Sequence, residues 1–131
     1  MPLFISGDID YIAKMNRPHN KTDISVTSSG TKDLDLSVGY VFVVTASAGS
    51  AAATTFTLSN KPSAGTPFEV IIYIKFTSAF AHTFTWPTTT VWPGAVAPSF
   101  GNTATRTFII KLMSPDSGST YFGEYLSPFI S

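Results

Sequence analysis

The chain has 131 residues, of which 44% are hydrophobic, 14% aromatic and 12% charged, and its formal net charge is zero. This length fits one domain with its own core; the composition excludes a disordered chain, and the neutral charge argues against nucleic-acid binding. No cysteine is present, no apolar run approaches the roughly 18 residues of a membrane span, and the start lacks a basic signal region, so we expect neither disulfides, membrane insertion nor classical secretion.

Residues 1–22 are predicted to form an N-terminal arm ahead of a β-sandwich body at 23–131. Nine of the sixteen charged residues lie in the first 35 positions, which is typical of a solvated or partner-contacting segment. Asp8 is placed to cap a helix of about two turns that ends near Asn16, too short to be stable alone. We therefore expect the arm to pack on its own body or on a neighbouring subunit. The predicted partner-binding residues are Leu3, Phe4, Ile5, Ile9, Tyr11 and Ile12.

From position 23 onwards, apolar and polar residues alternate with the period of a β-strand. The strongest run, 68–76, is rich in β-branched residues and follows a turn-like segment, so we predict a central strand there. Further strands are predicted at 23–27, 33–37, 40–45, 53–58, 80–86, 105–113 and 120–126. Because no helix separates these strands, the sequence predicts an all-β fold, an antiparallel jelly-roll-like β-sandwich.

Residues suited to catalysis are few and scattered. His19 and His82 are the only histidines, and the sequence contains no nucleophile elbow, phosphate-binding loop or zinc-protease motif. His82 shares a strand face with aromatic residues, which favours a core or edge histidine. Glu69 and Glu124 are the acids of the body that could approach each other as a glycosidase pair. We predict that the protein is not an enzyme and has no catalytic residues, no cofactor and no metal site.

Two tryptophans are candidate ligand-binding residues. Trp86 and Trp92 each precede a proline. Trp86 ends the predicted strand at 80–86, and Trp92 begins the predicted turn at 92–94. Exposed indole rings can stack on sugars, which would give a glycan-binding site without catalysis. Aromatic residues beside prolines at strand ends also commonly pack the open end of a sandwich. The sequence leaves both interpretations open.

The second half of the chain contains an ordered series of short segments. They are FTWP at 84–87, VWPG at 91–94, APSF at 97–100, a long strand to 113 and a closing aromatic-glycine strand at 121–123. This series resembles the ending of small β-sandwich domains in virion proteins of tailed bacteriophages, including capsid decoration (cement) proteins and fibre tips. The segment DIDYIAKMNRP at 8–18 is similar to the opening of several phage fibre and tail proteins. The two matches cover about half of the chain, and Tyr121-Phe122 replaces the tryptophan usual before the closing glycine.

The resemblance implies a phage structural protein on the capsid exterior, a decoration protein that binds the major capsid protein. We predict that it sits as a homotrimer over capsomer junctions, because the body is poor in charge and Ile71 and Tyr73 are apolar residues on the second face of the strand at 68–76. The low charge density agrees with assembly, because few charges have to be desolvated at an interface. The alternative that the resemblance implies is a tail-fibre or head-fibre tip, or an adaptor, that binds a host-surface glycan through Trp86 and Trp92. Neither alternative involves nucleic acid, a membrane or a cofactor.

Overall fold

The computed structural model of the chain describes residues 20–101 and 104–130. Within these residues the predicted all-β class is confirmed, since the regular elements are nine strands and one short 3-10 turn at Pro93–Ala95. The predicted arm helix and its contact residues, Leu3, Phe4, Ile5, Ile9, Tyr11 and Ile12, lie outside the described residues. The strands are β1 (Lys21–Val26), β2 (Gly30–Asp35), β3 (Val41–Ala46), β4 (Ala52–Ser59), β5 (Phe68–Phe76), β6 (His82–Thr85), β7 (Thr90–Val91), β8 (Arg106–Ser114) and β9 (Tyr121–Ile130).

The strands form two sheets that the chain visits in turn. A six-stranded sheet has the order β1-β3-β5-β8-β9-β7, and a three-stranded sheet has the order β2-β4-β6. From β1 to β6 the chain alternates between the sheets, and each strand pairs in parallel with the strand two positions later. This part therefore winds like a β-solenoid. β8 and β9 then extend the larger sheet as an antiparallel pair beside β5.

The predicted antiparallel jelly-roll pairing is wrong for most of the described residues. Five of the seven strand pairings are parallel, and only the β5–β8 and β8–β9 pairings are antiparallel. Parallel neighbours need a long crossover, which is usually a helix. Here a strand of the opposite sheet takes the place of that helix, so the absence of helices did not require antiparallel pairing.

The hydrophobic core lies between the two sheets. Alternating residues of β3, β5 and β8 turn inward and are almost completely buried, as are Leu34 of β2 and Phe56 of β4. Phe56 packs against two aromatic rings, with its centroid 5.3 Å from Phe84 and 5.4 Å from Trp86. These ring contacts join the three-stranded sheet to the segment that follows β6.

The segment 86–101 covers the part of the large sheet that the small sheet does not reach. Phe100 packs edge-to-face on Phe108 of β8, with ring centroids 4.6 Å apart. Trp92 lies against Gly123 of β9, so closely that a Cβ atom at Gly123 would be 2.5 Å from the Trp92 ring. A side chain is thus excluded at this position of β9, because the ring occupies its space.

Candidate interaction surfaces

The six-stranded sheet has a second face that points away from the core, which we call the outer face. Strand register places Val43, Tyr73, Ile109 and Leu126 at one level across β3, β5, β8 and β9. Val41 and Ile71 form the start of the next row on β3 and β5. No other strand of the described residues lies over this face, because the three-stranded sheet packs on the core side. The outer face therefore presents a continuous apolar centre.

Charged residues lie at the margins of the outer face. Lys21 and Asp23 of β1 form an exposed ion pair at 3.0 Å, and Lys111 of β8 lies 3.6 Å from Glu124 of β9. Lys75 occupies the row beyond Tyr73 on β5. Exposed ion pairs add little to stability, so these groups mainly set the charge pattern around the apolar centre.

Strand β9 concentrates the exposed apolar side chains of the described residues. The exposed fractions are 47% for Phe122, 41% for Tyr125, 53% for Leu126 and 52% for Phe129. One edge of β9 pairs with β8, whereas β7 pairs with its other edge at Tyr121 and Phe122 alone. Within the described part of the chain, the remaining backbone of that edge has no strand partner. Such an edge can pair or pack with another chain.

The two predicted tryptophans lie together in the core. Trp86 and Trp92 are each only 8% exposed, and their rings meet edge-to-face with centroids 5.5 Å apart. This arrangement fits the interpretation that they pack the end of the sandwich. Direct stacking on a sugar by these rings, as predicted, would be limited to the small exposed part of each indole.

A pocket of about 400 Å³ opens beside Trp86, between the three-stranded sheet and the turn before β9. The aromatic walls are Trp86 and Tyr121, and Lys61 supplies a charged group. Burial raises the pKa of the Tyr121 phenol above its ordinary value of 10.0, and the charge of Asp116 raises it further, so the phenol keeps its proton at neutral pH. Five threonines add hydroxyl groups to the lining, which also includes apolar residues. The threonines are Thr55, Thr57, Thr85, Thr88 and Thr89, and the other lining residues are Phe56, Leu58, Pro87 and Gly118.

The candidate acids do not form a close pair. Glu69 and Glu124 lie on the outer face two strands apart and two residues apart in register, which places their Cα atoms about 12 Å from each other. Glu124 is also engaged by Lys111. The absence of enzymatic activity stays a prediction.

His82 is the buried core histidine that its strand position predicted. Its side chain is 4% exposed and packs edge-to-face on Phe76, with ring centroids 5.5 Å apart. Nδ1 lies 2.8 Å from the carbonyl oxygen of Phe80 and must donate the hydrogen, because a carbonyl only accepts. The ring is therefore held by one backbone contact inside the aromatic core.

Comparison with protein-family models, curated proteins and solved structures gives no match. Among residues 20–101 and 104–130, no three metal-binding side chains come together and no helix is long and apolar enough to cross a membrane. Sequence reasoning missed the exposed end of β9 at Phe129, since it ended this strand at Leu126. The signal that was available is the apolar run that continues beyond Pro128.

Proposed function

We propose that this chain is a structural subunit of a tailed-phage particle, a decoration protein that binds the major capsid protein on the capsid exterior. The observation that carries the proposal is β9, whose outer edge has no strand partner after Phe122 in the described residues and whose exposed apolar side chains are Phe122, Tyr125, Leu126 and Phe129. An apolar edge strand left in water invites aggregation. Burial in an assembly removes that cost, which favours a subunit over a free monomer.

The same strand supports the proposed homotrimer. In a homotrimer the free edge of β9 would meet a different surface of the next copy, and such head-to-tail contacts can close into a ring. Only 12% of the residues are charged, so burying the contact would desolvate few charges. The resemblance of residues 84–126 to phage sandwich domains supports the choice of the capsid as partner.

Leu126→Asp and Phe129→Asp are expected to break the trimer and to weaken capsid binding at least tenfold. Each places a charge at an apolar contact, and a central interface residue commonly contributes 2 kcal/mol or more. Light scattering should give three times the 14.0 kDa chain mass for the native protein and one chain mass for the variants. Val96→Asp is the matched control, since Val96 is 64% exposed and lies outside the strands.

Two outcomes would contradict this assignment. One is a native protein with the mass of a single chain both in solution and on capsids. The other is that both β9 variants keep the native trimer mass and the native capsid affinity, as the Val96→Asp control does.

The pocket beside Trp86 favours a second candidate, a fibre tip that binds a host glycan. Its hydroxyl-rich walls and Lys61 suit a polar ligand, while Trp86 and Tyr121 supply apolar area. In that case Lys61→Ala should reduce host adsorption severalfold with unchanged melting, whereas Lys75→Ala, outside the pocket, should not. Equal adsorption by native protein and Lys61→Ala would argue against this candidate.

A further inference from the structure

The pocket beside Trp86 lies where strand β4 loses its neighbour. The pairing of β4 with β6 ends at Thr55, whereas β4 continues to Ser59. Successive residues of a strand direct their backbone polar groups to opposite sides, and Ala52 donates its N–H to the carbonyl that precedes β6. The even-numbered residues of β4 therefore point to the β6 side. Leu58, which lines the pocket, thus has a backbone N–H and C=O with no strand partner on that side.

Two further donors meet at one corner of the pocket. A Cβ atom at Gly118 would be 2.5 Å from the Tyr121 hydroxyl oxygen and 2.7 Å from Cδ of Lys61, so the glycine leaves room for both side chains. The raised pKa of Tyr121 keeps the phenol protonated at neutral pH. The Lys61 ammonium forms no ion pair among the described residues. The corner therefore presents a hydroxyl donor beside a positive charge.

Two carboxylates lie close to the pocket without lining it. Asp33 accepts hydrogen bonds from Thr57 and Ser59, and Asp116 accepts hydrogen bonds within its own turn. Neither belongs to the lining, so Lys61 is the one charged residue of the described chain on the pocket surface. The two negative charges weaken the positive field around the pocket. Selectivity for an anion therefore depends on direct contact with Lys61.

We propose that this pocket binds an acidic sugar, with the carboxylate on Lys61 and the sugar ring against Tyr121 and the exposed part of Trp86. A carboxylate only accepts hydrogen bonds, which suits a corner that donates them. Sugar hydroxyls both donate and accept, which suits the threonine hydroxyls and the free backbone groups of Leu58. The volume of about 400 Å³ lies within the usual range of small-ligand pockets.

This inference rests on the second candidate function, glycan binding, and names the class of glycan. It is independent of the capsid assignment, because the pocket lies on a different part of the molecule from the exposed apolar residues of β9. An isolated full-length protein is sufficient to test it.

Methyl β-D-glucuronide and methyl β-D-glucoside are matched probes, since they differ only in a carboxylate that replaces a hydroxymethyl group. Titration of each into the ¹⁵N-labelled native protein, followed by NMR, should give severalfold tighter binding of the glucuronide at low salt. The difference should shrink as salt is added, because salt screens an exposed charge contact.

Lys61→Met removes the charge and keeps most of the apolar stem beside Gly118, so this variant should bind the two sugars equally with unchanged melting. Lys75→Met, outside the pocket, is the matched control and should keep the native preference. Equal affinity of the native protein for the two sugars would overturn the acidic class and leave glycan binding in place. Binding of neither sugar would overturn both the inference and the candidate function on which it rests. A preference retained in Lys61→Met would overturn the role of Lys61.

Discussion

Phe56→Ala is expected to lower the free energy of unfolding by about 3–5 kcal/mol, the usual cost of removing a buried phenylalanine. Phe56 is 1% exposed and packs against both Phe84 and Trp86, so its removal leaves a cavity beside two rings that are themselves held in the core. Since small domains have a total stability of about 5–15 kcal/mol, this variant should unfold at much lower denaturant concentration. Chemical denaturation followed by tryptophan fluorescence measures the change.

Thr55→Ala on the same strand is the control for this variant, because Thr55 is exposed and its replacement should change stability by less than about 0.5 kcal/mol. If Phe56→Ala loses as little stability as the control, that result would contradict the packing of Phe56 against the two rings.

Gly123→Ala is expected to lower the free energy of unfolding by about 1–3 kcal/mol, the cost of forcing an extra carbon into a packed core. The new Cβ atom would lie 2.5 Å from the Trp92 ring, and Trp92 cannot swing away freely because it packs against Trp86. The strain should spread to the contact between the two tryptophans, so near-ultraviolet circular dichroism should change together with the denaturation midpoint.

Gly30→Ala provides the matched control for Gly123→Ala, since no atom lies within 4 Å of the added carbon. Combining Gly123→Ala with Trp92→Leu should cost less than the sum of the two single changes, because the smaller side chain makes room for the methyl group. Two results would show that Trp92 does not restrict the space at Gly123 of β9. One is equal stability of Gly123→Ala and Gly30→Ala, and the other is strict additivity of the two changes in the double variant.

Strand positions were predictable because alternation reports directly which residues face the core. All eight predicted strands overlap observed ones, and the run at 68–76 matches β5, an interior strand flanked by β3 and β8. Strand pairing was not predictable from the same signal. Alternation with one solvated face is typical of antiparallel sheets, yet here it belongs to parallel strands that wind between two sheets.

The candidate surfaces were predictable only in part. Ile71 and Tyr73 stand on the second face of β5 as their alternation requires, and the prolines after Trp86 and Trp92 marked residues at the end of the sandwich. The exposed end of β9 was missed because Pro128 normally ends a strand. Proline is tolerated at an edge or beside a bulge, and β9 has an irregular register opposite Thr107 and Ile109. Neither condition can be recognised before the pairing is known.

Heat-triggered DNA release from phage particles that lack this protein tests the central proposal most directly. A decoration protein that binds only the assembled capsid stabilises it by mass action. We therefore expect the protein-free particles to release DNA at a lower temperature than complete ones, and purified native protein, but not Leu126→Asp, to restore the original temperature. Release at the same temperature from both kinds of particle, together with lost adsorption to host cells, would contradict the capsid assignment and favour the fibre tip.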